Sequence, residues 1–246
     1  MAEVNAYWRT DRPAEGFYAD TLPAAPALPV RTFLPAGYEP RYAYPLVVLF
    51  HGAGDSEEQV LKLAPKLSRR NYIAIGLRGP QELPATDDGR PAFGWGADGS
   101  WDGAVEDYLM KAVDQTRRTY HVHSERVYLA GVGEGATAAY RAGLALPGRV
   151  AGVVALNGSM PRPAGAPLFT LPAARQMRVL IAHGTKNADV PYSTAQRDYR
   201  LLYAAGADVK LVGYDTGGKL HADMFRDVNR WIMRTINAAT DALVLD

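Results

Sequence analysis

From residue 30 to the end of the chain, short uninterrupted apolar runs alternate with longer stretches of helical period, and no other feature narrows the possible folds as far. The runs at 30–34, 46–50, 72–77, 127–130, 150–156, 179–182 and 209–214 read as strands. Most are continuously apolar, the pattern of strands covered on both faces. Between them Val60, Leu63, Ala64 and Leu67 fall on one helical stripe, as do Val105, Tyr108, Leu109, Ala112 and Thr116. Met224, Phe225, Val228, Trp231, Ile232 and Thr235 form a third near the end. Each stripe is the face a helix lays on a sheet. Strand and helix in alternation, with no internal repeat, predict an α/β fold: one mostly parallel sheet of about seven or eight strands with helices on both faces.

Residues 30–246 are expected to form a single domain, a size one α/β unit can hold. Residues 1–29 are rich in Pro and Ala and predict an extended arm lying on that domain. Lys and Arg total 27 against 26 Asp and Glu, with no long run of either sign, which argues against nucleic acid or an acidic membrane as partner. The absence of cysteine excludes disulfides, zinc–thiolate sites, iron–sulfur clusters and a thiol nucleophile. The first ten residues carry Glu3 and Arg9 and lack an apolar stretch of signal-peptide length, and no run of about 18 apolar residues occurs. The expectation is a soluble, cytoplasmic protein. One long connection, 79–101, stands apart, with Gly89, Gly94, Gly96 and Gly99 and two tryptophans, Trp95 and Trp101. Loops of that length are usually functional, and the tryptophans are expected to order it near a ligand.

Ligands of open parallel sheets bind at the carboxyl ends of the strands, so the turns that follow each strand carry the functional information. After 46–50 comes His51-Gly52-Ala53-Gly54, a turn in which backbone N–H groups can approach a bound oxygen; its plainer use is a tight turn into a helix capped by Ser56. After 127–130 comes Gly131-Val132-Gly133-Glu134-Gly135, then a helix of small residues. That is the context of the nucleophile elbow G-x-S-x-G, with glycine in the serine's place.

Together these motifs resemble the α/β-hydrolase superfamily, and within it the carboxylesterase/phospholipase type related to acyl-protein thioesterases and dienelactone hydrolases. The likeness spans about residues 30–238 and rests on Leu49-Phe50-His51-Gly52-Ala53-Gly54, the elbow, Ile181-Ala182-His183-Gly184 followed by Val190-Pro191, and His221 before the last amphipathic helix. It implies an α/β-hydrolase fold and ester hydrolysis by a nucleophile, an acid and a histidine in that chain order, on a small acyl or ester ligand, without cofactor or metal. It puts Gly133 at the nucleophile, Asn187 at the acid and His221 at the base, with Asp189 as an alternative acid. The oxyanion donors would be the backbone N–H groups of Ala53 and Glu134. His51, Gly52, Trp95 and Trp101 would surround the pocket, at least one tryptophan lining it above Gly133.

Glycine has no side-chain atom with which to attack a carbonyl, so acyl-enzyme chemistry at residue 133 is excluded. Losing the nucleophile costs about a millionfold in a model protease. Asparagine at 187 can orient an imidazole but cannot stabilise an imidazolium by charge. Two readings follow. In the first the chain is a pseudoenzyme, an ester-hydrolase descendant that keeps its pocket for a small acyl compound or for protein interaction. In the second it is a working carboxylic-ester hydrolase whose nucleophile lies elsewhere or was replaced by engineering at residue 133; a parent cysteine would suit Asn187. Ser159, Ser193 and Ser100 read as a turn residue, a helix start and a loop residue, and Glu134 as a solvated first-turn carboxylate rather than a base toward water. His121 and His123 lack a third ligand nearby for a metal. The third glycine of Gly131-Val132-Gly133-Glu134-Gly135 comes one residue early for a dinucleotide fingerprint.

Overall fold

The computed structural model describes residues 14–22, 28–96, 98–161 and 174–244, with side chains to 238. Its main sheet contains β1 (Gly16–Leu22), β2 (Leu28–Leu34), β3 (Tyr44–Phe50), β4 (Ile73–Leu77), β7 (Val122–Val132), β8 (Gly152–Leu156), β9 (Arg178–Gly184) and β10 (Asp208–Tyr214). They lie in the order β1-β2-β4-β3-β7-β8-β9-β10, parallel from β4 across to β10, with β2 antiparallel to both β1 and β4. Two short strands, β5 (Gln81–Leu83) and β6 (Ala92–Gly94), form a separate antiparallel pair. The helices are α1 (Glu57–Leu61), α2 (Ala64–Leu67), α3 (Asp102–Thr119), α4 (Glu134–Ala145), α5 (Tyr192–Ala204) and α6 (Ala222–Val244).

The continuous apolar runs follow from burial on both sides of this sheet. In β3, Leu46, Val48 and Phe50 enter one core with Leu109, Val113 and Ala139 of α3 and α4. The alternate residues Val47 and Leu49 enter the other with Val60, Leu67, Met224 and Val228. Every residue of β3 is therefore buried, although its side chains alternate with period two. The mostly parallel, two-sided sheet agrees with the sequence.

Three features correct or extend the sequence reading. The arm at 1–29 is not merely laid on the domain, because residues 16–22 pair with β2 from Gly16↔Leu34 to Leu22↔Leu28 as the sheet's eighth strand. Most of β1 is exposed or half-buried, as befits an edge strand, so it lacks the apolar run that marks the inner strands. Residues 1–13 and 23–27 lie outside the described residues. The connection 79–101 holds the β5–β6 hairpin, which Gly54 N–H to Phe93 O and Phe93 N–H to Asp55 O, each 3.0 Å, fasten to the turn after β3. Thirdly, β7 begins at Val122, five residues before the run at 127–130, where exposed Ser124 and Glu125 break the apolar pattern.

After β4 the chain crosses through α3 to the far side of β3, so the strand order reverses between β3 and β7. Their carboxyl ends are neighbours, Phe50 opposite Gly131. That crevice is where a doubly wound sheet presents ligand-binding turns. Close by, fully buried Glu57 holds α1 on the sheet. Its carboxylate accepts from Arg78 Nη2 at 2.6 Å and Nε at 2.9 Å, with Arg31 Nε at 4.0 Å. Removing one member of such a pair leaves a charge without its partner. Arg78 is one-third exposed, so water recovers part of the loss. Glu57→Ala is expected to cost about 2–3 kcal/mol, read from urea unfolding midpoints.

Candidate active site

The turn after β3 and the turn after β7 are pressed together. A Cβ on Gly135 would lie 2.3 Å from the carbonyl oxygens of both Phe50 and His51, and one on Gly131 would lie 2.1 Å from Gly135 O. Neither position can hold a side chain without the turns moving apart. Gly133 differs. Its backbone stands at φ 55°, ψ −119°, a strained conformation outside the regions that L-residues ordinarily occupy, yet a Cβ there would meet nothing within 4 Å. Two glycines of the elbow are thus demanded by packing, and the central one faces open space. Its N–H donates to Leu156 O at 2.9 Å, fixing the turn to the end of β8.

The oxyanion candidates sit on these two turns. Glu134 opens α4, where a backbone N–H has no intrahelical acceptor, and Ala53 is exposed at the tip of its turn. Among the described residues neither N–H donates within the protein. The Glu134 carboxylate accepts from Trp95 N–H at 3.2 Å, which turns it toward the β5–β6 hairpin.

His51 and Trp95 do not line an open pocket. Both are buried, at 0% and 1% exposure, and they brace the turn from beneath. His51 Nδ1–H donates to Gly52 O at 2.7 Å while Nε2 accepts Gly79 N–H at 2.8 Å, which fixes the tautomer. Trp95 Nε1–H donates to His51 O at 2.9 Å, and the two rings pack 5.0 Å apart. Trp101 is the exposed tryptophan of the loop, at the N-cap of α3.

The residues expected as acid and base have local partners. Asn187 is buried, and its Oδ1 accepts from the N–H groups of Asp189 and Val190, both at 3.1 Å, an Asx turn that engages its side-chain oxygen locally. The Asp189 carboxylate is exposed and lies beside Gly218, 3.4 Å from where its Cβ would be. His221 heads α6 with its side chain half exposed. Nδ1 accepts Asp223 N–H at 3.3 Å and stands 3.3 Å from Asp223 Oδ2, so the imidazole caps its own helix. Asp223 also pairs with Arg226.

Sequence reasoning missed Asn157, the residue that joins these turns. Its Nδ2 donates to Gly218 O at 2.9 Å and its Oδ1 accepts Gly184 N–H at 2.8 Å, tying the histidine loop and the acid loop to the end of β8. It is buried and is the non-glycine residue at positive φ, 52°, among those described. The signal was an asparagine directly after a strand, a residue that enters the left-handed region at low cost. Of the serines, Ser100 Oγ–H donates to Asp98 and Ser193 is exposed in the first turn of α5, while Ser159 accepts from the Thr137 hydroxyl through its backbone carbonyl only. Glu125 N–H donates to His123 Nδ1, and His121 Nδ1–H donates to Pro40 O. Among the described residues, no group of three or more His, Asp or Glu could hold a metal, and no helix is long and apolar enough to cross a membrane.

The model of the phospholipase/carboxylesterase family matches residues 39–236. The chain belongs to that family. It is 27% identical over 182 residues to acyl-protein thioesterase 1 of Mycosarcoma maydis, covering 64% of this chain and 76% of the relative. The fold is shared with acyl-protein thioesterase 2 of Zea mays (TM-score 0.64, 20% identity, 84% of this chain and 98% of that one). A dienelactone hydrolase homologue from Klebsiella pneumoniae shares it too (TM-score 0.70, 16% identity, 90% and 99%). In this family member both carboxylesterase-type turns are present and closely packed.

Two measurements check this geometry. Gly133→Ala is expected to cost about 1–3 kcal/mol of backbone strain, and Gly135→Ala more, because its methyl meets two carbonyl oxygens; denaturant unfolding ranks them. Burial holds the His51 imidazole below its ordinary value of 6.5, its bond to Gly52 O offsetting part of that. The unfolded chain takes up this proton below pH 6.5 while the folded one does not. Stability is therefore complete above 6.5 and falls as pH drops beneath it. His51→Gln is expected to flatten part of that slope in unfolding midpoints between about pH 7.5 and about pH 5.

Proposed function

We propose that this family member binds a small acyl or ester ligand at the β3–β7 crevice without the covalent chemistry of a serine hydrolase. The observation that carries the reading is Gly133, an elbow backbone whose central residue has no attacking atom. The surroundings agree. Asn187 Oδ1 is occupied by two backbone N–H groups, and the His221 imidazole, which a serine would need as base, accepts a bond from its own helix through Nδ1. What such a site retains for binding is backbone N–H donors from which a carbonyl oxygen can accept. The ligand's carbonyl oxygen would lie toward the N–H groups of Ala53 and Glu134, with its acyl group over the open position at Gly133.

The open space at Gly133 also favours the second reading, an ester hydrolase whose nucleophile was replaced. A turn held in a strained conformation, with room for a side chain that is absent, is what such a replacement leaves. Both readings are tested together. The chain as it stands is expected to leave a short-chain chromogenic ester unhydrolysed. Gly133→Ser is expected to label slowly with a serine-directed phosphonate, because His221 must first leave its cap. Adding Asn187→Asp raises that rate, by up to about ten-thousandfold if the carboxylate comes to hold the imidazole. Gly133→Cys, with Asn187 kept, reports on a lost cysteine. Ester turnover by the unaltered chain defeats the non-catalytic reading. A double variant that folds by circular dichroism yet neither labels nor hydrolyses shows that the acid belongs elsewhere, Asp189 included.

A further inference from the structure

At the end of the sheet opposite the elbow, a groove of about 600 Å³ runs across the first residues of β8, β9 and β10, between β7 and α6. Its lining mixes charged and apolar residues. Arg126, Arg175 and Arg178 face it together with the two acids Glu125 and Asp208, and Val150, Ala151 and Met177 supply apolar surface. More arginines gather at the same end of the molecule: Arg117 and Arg118 in the last turn of α3, and Arg149 just before β8.

Two of these guanidinium groups, those of Arg175 and Arg178, are not consumed by the acids around them. Among the described residues, the side chains of Arg175 and Arg178 make no ion pair or hydrogen bond. Asp208 stands opposite Arg178 in the strand register, yet the two do not pair. The Arg175 stem is anchored instead against Gly206, where a Cβ would lie 2.9 Å from its Cγ. The floor offers an incoming anion no donor of its own. Thr235 O–H is given to Ile232 O at 2.8 Å, which leaves Tyr128 O–H to be given to Thr235 Oγ1, also at 2.8 Å. Burial raises the Tyr128 phenol, while its bond to Thr235 and the charges of Arg178 and Arg126 act the other way, so both guanidinium groups lie within electrostatic reach of that hydroxyl. The unpaired forks of Arg175 and Arg178 on one concave surface match a tetrahedral oxyanion better than any neutral or cationic group.

We propose that this groove binds a phosphate-type dianion, its oxygens held by Arg175 and Arg178 and an apolar substituent covered by Val150, Ala151 and Met177. The site is separate from the β3–β7 crevice and does not depend on whether that crevice is catalytic. Calorimetric titration of the full chain with inorganic phosphate, at ionic strength matched with chloride, is expected to show saturable binding. Arg178→Ala and Arg175→Ala are each expected to weaken it by roughly tenfold or more. Arg178→Lys is expected to restore part of the affinity, since a point charge replaces a fork. Arg70→Ala, an exposed arginine outside the groove, leaves it unchanged.

A short-chain alkyl phosphate and vesicles of phosphatidic acid in phosphatidylcholine then distinguish a free phosphate monoester from a lipid headgroup. Binding of either, lost in the two alanine variants, supports the site. Should an alanine variant fail to fold, amide shift mapping of the unaltered chain decides: phosphate-induced shifts at Tyr128, Ala151, Met177 and Asp208 support it. Shifts confined elsewhere, no saturable binding, or equal affinity in wild type and both arginine variants overturn it.

Discussion

Everything at the candidate site depends on one close approach, that of the elbow helix to the carbonyl groups at the end of β3. Phe50 and His51 turn their carbonyl oxygens toward Gly135, and only a residue without Cβ lets α4 begin there. The consequence is that two strand ends, neighbours at the point where the sheet order reverses, deliver their turns to one place. Were α4 to stand farther out, the N–H of Glu134 and the turn at Ala53 would no longer share a crevice. The remaining structure stabilises this contact. Trp95 and His51 fill the space beneath the turn, and the β5–β6 hairpin is bonded to it at Gly54 and Asp55.

A second constraint links the turns that follow β8, β9 and β10. Asn157 spans them with a donor and an acceptor from one buried amide, and it does so from a left-handed backbone conformation that costs energy in any residue but glycine. Buried amides bonded at both ends specify geometry because either bond, once broken, leaves a polar group without water. The loop bearing His221 is thereby held in register with the loop bearing Asn187. Within that register, local hydrogen bonds claim the Asn187 oxygen and His221 Nδ1. The framework of the family is kept, and these two polar atoms serve local structure within it.

The two ends of the sheet differ in chemistry as well as in shape. At the carboxyl ends of β3 and β7 the chain presents two closely packed glycine turns. At the opposite end the arginines accumulate, partly because α3 ends there and cations are favoured at a helix C-terminus. Arg175 and Arg178 have no such explanation, since they precede or open a strand. Their placement in a concavity, unpaired, is what distinguishes the groove from ordinary surface charge.

The class of fold was legible because continuous apolar runs have a single cause, burial on both faces, and β3 shows it residue by residue. The elbow was legible for a similar reason: Gly131 and Gly135 are required by contacts that any chain with this topology must make, so their spacing survives in the sequence. Edge strand β1 was not legible, because an edge half in solvent needs no apolar run. The partners of the polar residues were not legible either. Asn187, Asp189, His221 and Asp223 lie within a few residues of each other along their own loops, and which of several nearby donors each one takes is decided by distances of a few tenths of an ångström. Hydrogen bonds are lost over such distances, whereas apolar burial is not. Sequence by itself determined the layered sheet, the two glycine turns and the glycine at 133. Only the tertiary structure decided that His51 and Trp95 are buried supports, that Asn157 joins the loops, and that the unpaired arginines share a groove.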